Sequence, residues 1–343
     1  MITARGFDVD YGRGQLPRVL EGLGPWVAVA QPEPWEHLLP ALPSEPAAMV
    51  PVGDLRPEHL DAAAAGLPPA ATAVVGIGGG SAMDTAKWLH WRTGLPLYQV
   101  PSLPSVDACF TRMTALRDGG GVRYEGDSVP EVVLVDFDLM WSAPRALVAG
   151  GIGDVLSCHT ALFDWELGVR AGRDAPWDED AAARGREYLD DLEVLAPLLL
   201  NGDDEGIRGL MECHRDIGWL CHELGHARFE EGSEHFWAYA FEHVTGRTIM
   251  HGELVTLGVL VMSTLQGNDP ERPRRIADAA GTRTDPATLG VALDEVEAAL
   301  VRLPSFVEEQ GLWYSVANGL TVGPEQLAAA RAALGSGEGP RRA

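Results

Sequence analysis

Asp154, His235 and His251 offer one carboxylate and two imidazoles. A set of that kind suits a catalytic metal, because three protein ligands leave a coordination position for a substrate oxygen. Their spacing alone does not bring them together. A single histidine is more often a satisfied core or surface residue, and that reading covers most of the 10 histidines in the chain. A rival set is His222-Glu223-Leu224-Gly225-His226, which matches HExxH. On a helix its histidines would lie one turn apart and share a zinc while Glu223 activates water. A third ligand would have to come from Glu230, Glu242 or Glu253. The pattern is short enough to arise by chance, so a zinc protease is the remote reading.

A different chemistry is suggested by Gly78-Gly79-Gly80-Ser81, which follows the apolar run Ala73-Val74-Val75-Gly76-Ile77 and opens a helix from about Ser81 to Trp91. Glycines there let backbone N–H groups approach a pyrophosphate, and the positive end of the helix favours the anion. The spacing is neither GxGxxG nor a Walker loop, since Ser81 replaces the last glycine and no Gly-Lys-Ser/Thr follows. Asp84 and Lys87, three apart on that helix, read by position as a surface ion pair. Ser105-Val106-Asp107 before the next turn reads as a helix cap.

The elements that must carry these residues are of two kinds. Trp26–Ala30, Ala73–Ile77, Leu97–Val100 and Val132–Asp136 are short apolar runs that alternate with helical stretches, the pattern of a parallel sheet covered on both faces. Asp118-Gly119-Gly120-Gly121 reads as a hairpin turn. After Gly150 the stretches 155–171, 179–200, 204–230, 252–266 and 287–301 carry helical spacing. The expected organisation is an α/β nucleotide-binding domain over 1–150, an all-α domain over 151–335 and a frayed tail over 336–343.

With 343 residues, 46% hydrophobic and 22% charged, the chain is of ordinary globular composition. Its formal net charge of −24 repels phosphate backbones and anionic membranes, so nucleic acid and membrane are not expected partners. No window is expected to be apolar for the full length of a membrane span. Cys109, Cys158, Cys213 and Cys221 lack CxxC spacing, and Met1–Gly6 lacks a signal-peptide pattern. A cytoplasmic setting is expected.

The longer pattern Gly78-Gly79-Gly80-Ser81-x-x-Asp84-x-Ala86-Lys87 resembles the cofactor motif of the superfamily that holds iron-containing alcohol dehydrogenases, glycerol dehydrogenase, glycerol-1-phosphate dehydrogenase and dehydroquinate synthase. Pro101–Ala108 is similar to the loop carrying a substrate-contacting aspartate in the glycerol dehydrogenase branch. Asp154–Trp165, Gly225-x-x-Arg228-x-x-x-Gly232-Ser233-Glu234-His235 and His251-Gly252-Glu253 follow the glycerol-1-phosphate dehydrogenase branch. The resemblance covers roughly residues 20–265. It departs at Cys158-His159 and at Arg228-Phe229-Glu230-Glu231, where the branch carries Arg-Pro-Ala-Ser.

The resemblance implies the dehydroquinate synthase-like fold, NAD or NADP on Gly78, Gly79, Gly80 and Ser81, and Asp84 near the nicotinamide. It also implies that Ser102 and Thr111 lie near the cofactor, and that Asp107 meets a substrate hydroxyl. Asp154, His235 and His251 would then hold one divalent metal, zinc first and iron second. The small-molecule substrate would be a polyol-type ketone, with dihydroxyacetone phosphate and sn-glycerol 1-phosphate as the leading pair. Arg228, Arg112 and Lys87 are the basic residues nominated for its phosphate. Tyr239, His159 and His243 are proton-transfer candidates. A homo-oligomer is expected from the family. The alternatives are a carbocycle-forming lyase that uses NAD transiently and a nucleotide-binding relative without activity. The choice between NAD and NADP stays open, because Gln31-Pro32-Glu33 after the strand ending at Ala30 offers one displaced acid and no arginine.

Overall fold

A computed structural model describes residues 6–118 and 121–335. The centre of the expected hairpin turn, Gly119-Gly120, and the expected tail 336–343 lie outside the described residues. The chain divides into two compact units: one runs to Val148 and adds Ile207–Gly225, and the other comprises Ala149–Gly206 with the chain from His226 on.

The first unit is built on a six-stranded, fully parallel sheet among the described residues, in the order β1-β8-β5-β4-β2-β3. Its strands are β1 (Val9–Gly12), β2 (Trp26–Ala30), β3 (Ala48–Pro51), β4 (Ala73–Gly78), β5 (Leu97–Pro101) and β8 (Val132–Asp136). Between the last two, β6 (Thr114–Asp118) and β7 (Gly121–Glu125) pair antiparallel as a separate ribbon. β2 and β4 are buried at every position, which is why they read as unbroken apolar runs. Ala28, Val75 and Ile77 pack with Leu16, Leu20 and Leu139 on one face, and Val29, Val74 and Leu97 pack with Ala86 and Leu89 on the other. Each fully buried Val, Leu or Ile contributes about 1.5–3 kcal/mol. The edge strands β1 and β3 are half exposed. Neither carries a long apolar run, so neither was expected from the sequence.

The expected helix 204–230 ends at Leu224, and most of it folds onto the sheet unit rather than with the other helices. The reason is close packing. A Cβ on Gly218 would come within 2.5 Å of the Phe110 carbonyl, His214 Nε2 lies 3.2 Å from the Pro104 carbonyl, and Arg208 stacks 4.7 Å over Tyr11. The single boundary near residue 150 is corrected accordingly: the helical half is interrupted by a segment that belongs to the first unit.

In the second unit the helices Gly153–Leu156, Cys158–Arg170, Glu179–Asn201, Ser233–Thr245, His251–Gln266 and Leu293–Glu309 pack on one another. One expectation about membranes changes. Arg145–Arg170 is long and apolar enough to span a bilayer by composition, with a mean hydropathy of 1.4, but 83% of that window is buried inside the protein. The segment is also broken into short helices at Gly150–Ile152 and Ser157. Its apolar character is that of a core segment.

Candidate metal centre and dinucleotide loop

The candidate metal centre lies wholly within the helical unit and is built where three helix N-termini come close. A Cβ on Gly153 would run into the carbonyl of Gly252, so the helix bearing Asp154 touches the start of the helix bearing His251. Where a Cβ on Gly258 would lie 2.6 Å from the Glu234 carbonyl, the helix bearing His235 crosses the same partner. Larger residues at either glycine would force the helices apart.

The result is convergence. One ligand atom from each of Asp154, His235 and His251 lies within 4.8 Å of the others. His251 Nε2 is 3.4 Å and His235 Nε2 is 3.8 Å from Asp154 Oδ1. Those separations approach the edge of a tetrahedron with bonds of about 2.0–2.1 Å, roughly 3.4 Å, so a small divalent ion fits with slight contraction. Asp154 and His235 are buried, and His251 keeps a quarter of its side-chain surface open. Among the described residues this is the one cluster of three such side chains able to share an ion.

The sequence reading did not assign a role to the residues that aim His235. Its Nδ1 lies 2.9 Å from Glu234 Oε1, and Glu234 is itself fully buried. Glu234 accepts from the Gly232 amide at 2.6 Å and from Thr160 Oγ1 at 2.7 Å. With Nδ1–H donating to Glu234, Nε2 is the nitrogen left for an ion. Burial disfavours the imidazolium, but the hydrogen bonds to Asp154 and Glu234 outweigh it and hold the His235 pKa well above the ordinary imidazole value. A proton and a divalent ion would therefore compete for this ring. Behind it, Asp164 accepts from the amides of Ser233 at 2.8 Å and Val316 at 2.7 Å. Burial, with the Glu234 charge nearby, pushes its pKa up to about 6. The signal for Glu234 was present in Gly232-Ser233-Glu234-His235, as a carboxylate adjoining a ligand.

Of the proton-transfer candidates, Tyr239 sits one turn from His235, with ring centroids 6.1 Å apart, and donates to Glu231 Oε1 at 2.9 Å. His159 turns to the Asn268 carbonyl at 2.6 Å, and His243 packs against Phe306.

The phosphate candidates need correction. Arg228 has no exposed surface. It holds Asp174 through Nε at 3.0 Å and Nη2 at 2.6 Å, and it caps the carbonyls of Glu231 and Tyr314. Its guanidinium is spent on ordering the segment before Ser233. Lys87 is no surface partner of Asp84 but is fully buried, with Nζ 2.8 Å from Asp84 Oδ1, 2.9 Å from Thr111 Oγ1 and 2.6 Å from the Met113 carbonyl. Arg112 pairs with Asp127 at 2.5 and 2.7 Å.

The HExxH reading also fails. The helix stops at Leu224, and Gly225 takes a left-handed φ of 73°, so His226 is off the helix and not one turn from His222. His222 lies against Trp219, and His226 lies against Trp165.

The sheet unit supplies the second candidate site at the end of β4. Gly78 has φ 146°, a conformation natural to glycine, and a Cβ there would meet Gln31 Oε1 at 2.6 Å. Gly79 precedes the helix Gly80–Thr93, whose opening amides, including that of Ser81, lack an intrahelical acceptor by position. Gly76 lets that helix press on the sheet, since a Cβ there would be 2.8 Å from Ala86 Cβ. Ser102 donates its amide to the Gly78 carbonyl at 2.8 Å, which ties β5 to the loop. Val106 packs against Gly80, so half-buried Asp107 begins its turn beside the same loop. Its turn has no side-chain cap, contrary to the cap reading. Asp84 and Thr111 flank Lys87 and so brace the helix beneath the glycines. Gln31, whose sequence gave no ribose signal, accepts from the Gly79 amide at 2.7 Å.

Residues 47–144 match the family model described as iron-containing alcohol dehydrogenase. The chain is 31% identical over 227 residues to a glycerol-1-phosphate dehydrogenase [NAD(P)+] of Aeropyrum pernix, covering 66% of this chain and 64% of that protein. It is 28% identical over 260 residues to the protein of the same name from Methanothrix thermoacetophila, covering 76% of this chain and 71% of that one. The chain is therefore similar to iron-containing alcohol dehydrogenases and to glycerol-1-phosphate dehydrogenases. The match thus spans just under two thirds of the Aeropyrum relative's length. A likeness of fold extends over nearly the whole chain. A glycerol dehydrogenase structure from Schizosaccharomyces pombe superposes with TM-score 0.68 at 21% identity, covering 96% of this chain and 90% of that one. An iron-containing alcohol dehydrogenase from Corynebacterium glutamicum gives TM-score 0.67 at 17% identity, covering 98% and 99%.

Proposed function

We propose that this protein is a metal-dependent NAD(P)H oxidoreductase that interconverts a small polyol-type ketone and its secondary alcohol. The observation that carries the reading is the convergence of Asp154, His235 and His251 within 4.8 Å of one another. Relatives named for glycerol 1-phosphate and NAD(P)+ support the substrate class and the cofactor. They nominate dihydroxyacetone phosphate, sn-glycerol 1-phosphate or a close analogue as the first pair to assay.

When bound, a zinc or iron ion supplies Lewis acidity toward the carbonyl oxygen and the dinucleotide supplies the hydride. The protein's own part is positioning. Asp154, His235 and His251 would hold the ion, with Glu234 and Thr160 fixing the His235 ring. Gly78, Gly79, Gly80 and Ser81 would accept the pyrophosphate against the helix N-terminus. For that anion, the Gly79 amide must exchange its bond to Gln31 for a phosphate oxygen. Asp107 would accept from a substrate hydroxyl, and Tyr239, one turn from His235, would be one residue to test for proton transfer.

The test is a panel of small ketones and aldehydes with NADH and NADPH, run before and after chelation. Chelator-sensitive consumption of reduced cofactor by a polyol ketone is expected. Turnover that leaves the cofactor unconsumed would transfer the protein to the lyase class.

A further inference from the structure

The motif His251-Gly252-Glu253 leaves one acid without a part in the metal cluster. Glu253 lies in the first turn of the helix His251–Gln266 and is buried, and both its oxygens are taken by Arg283, through Nε at 2.6 Å and Nη2 at 2.6 Å. A Cβ on Gly150 would run into Met250 Cε and meet Glu253 Cγ at 2.7 Å, and a Cβ on Gly153 would run into the Gly252 carbonyl. Residues on both sides of His251 therefore press on the segment that leads into Asp154. This helix start has no side-chain cap of its own, and His251 is the most open of the three candidate ligands, with 25% of its side chain exposed against 6% for Asp154 and 7% for His235. The restraint comes from one stretch further along the chain. Arg283 also donates from Nη1 to the Thr288 carbonyl at 3.3 Å, and beside it Thr282 Oγ1 donates to the Ala149 carbonyl at 2.8 Å. On the other side of His251, Arg247 donates to both oxygens of Glu295 at 2.7 Å and to the Gly290 carbonyl at 2.8 Å. Residues 282–295 thus grip the chain before and after His251. The two grips are unequal. The Glu253 carboxylate is buried and meets a planar fork that fixes its direction, whereas Arg247 and Glu295 are partly exposed and screened by solvent.

We infer that Arg283, acting through Glu253, is a positioning residue for His251: it fixes the start of this helix where His251 and Asp154 can share a divalent ion. This rests on the metal-dependent reading above and deepens it, since it adds to the site a residue remote from the three ligands in sequence.

The experiment titrates chelator-treated, full-length protein with zinc against a chromophoric chelator, and records the urea midpoint of each metal-free protein alongside. Arg283→Met is expected to lower zinc affinity by about tenfold or more, Glu253→Gln by a similar factor, and Arg247→Met by less than about fivefold. A purely structural pair would lower the urea midpoint and leave the zinc affinity of the folded protein unmoved. Because Arg283 acts through His251, Arg283→Met is expected to cost little further affinity in a His251→Ala background. Wild-type zinc affinity in Arg283→Met overturns the inference, and so does a fully additive loss in the double variant. If Arg283→Met does not fold, wild-type zinc affinity in Glu253→Gln overturns it equally. Tight zinc binding by wild type with no change in these variants removes the inference alone, whereas a wild-type protein that binds no zinc removes the metal-dependent reading and the inference with it.

Discussion

The glycine loop and the candidate metal centre are assembled in opposite ways. At the end of β4, strand, glycines and helix are contiguous, and the chemistry follows from local rules: an unusual φ at Gly78, a helix N-terminus, and a close approach at Gly76. The metal centre gathers Asp154, His235 and His251 from three separate helices, and Gly153 and Gly258 set how closely those helices meet. A local site can be damaged without touching the other unit. A site assembled at long range should instead be sensitive both to its ligands and to the buried groups that aim them.

The comparison is broken most severely by removing a ligand. Asp154→Ala is expected to lower divalent-metal affinity by several orders of magnitude and to abolish chelator-sensitive turnover, while binding of ADP, a probe for the glycine loop, persists. Metal analysis and calorimetry would decide it; wild-type metal content in Asp154→Ala would remove the carboxylate from the site. Gly78→Ala is the reciprocal test. The strained φ and the contact with Gln31 should cost about 1–3 kcal/mol and weaken ADP binding, leaving metal stoichiometry at the wild-type value. Coupled loss of metal in this variant would show that the two sites do not fail separately.

Smaller effects sharpen the same contrast. Glu234→Gln keeps the volume but removes the charge that orients His235, and a loss of about 10–100-fold in metal affinity is expected. Asp164, one layer further out, should act through pH. Its native pKa is raised by burial to about 6, above the unfolded value, so the native state holds this proton more tightly. Stability from this group is therefore complete at low pH and declines as pH rises from about 4 to about 6, by about 3 kcal/mol or less. Urea denaturation of chelator-treated protein across that range should show the decline in wild type and its absence in Asp164→Asn. Parallel pH dependences in the two proteins would contradict it.

Legibility followed the same division. Buried strands such as β2 and β4 and the loop after β4 could be read because their signals are contiguous: unbroken apolar runs, then glycines, then helical spacing. The edge strands β1 and β3 could not, since half-exposed four-residue strands carry no run. The candidate metal ligands were nominated by type and by resemblance, but their convergence depends on glycine contacts between helices that spacing does not encode. Arg228 and Lys87 were misassigned for one reason. A cation's sequence position says nothing of its burial, and both prove to be fully buried partners of carboxylates. HExxH, the remote reading, fails because its spacing presumes a continuous helix, and Gly225 ends the helix inside the motif.

X-ray absorption on zinc-loaded protein, compared across wild type, His235→Ala and His222→Ala, addresses the converging triad most directly. The expected result is one ion per chain in wild type and His222→Ala, bound by nitrogen and oxygen with outer-shell scattering from two imidazoles, and no stoichiometric ion in His235→Ala. An ion retained in His235→Ala and lost in His222→Ala would place the metal elsewhere and contradict the account.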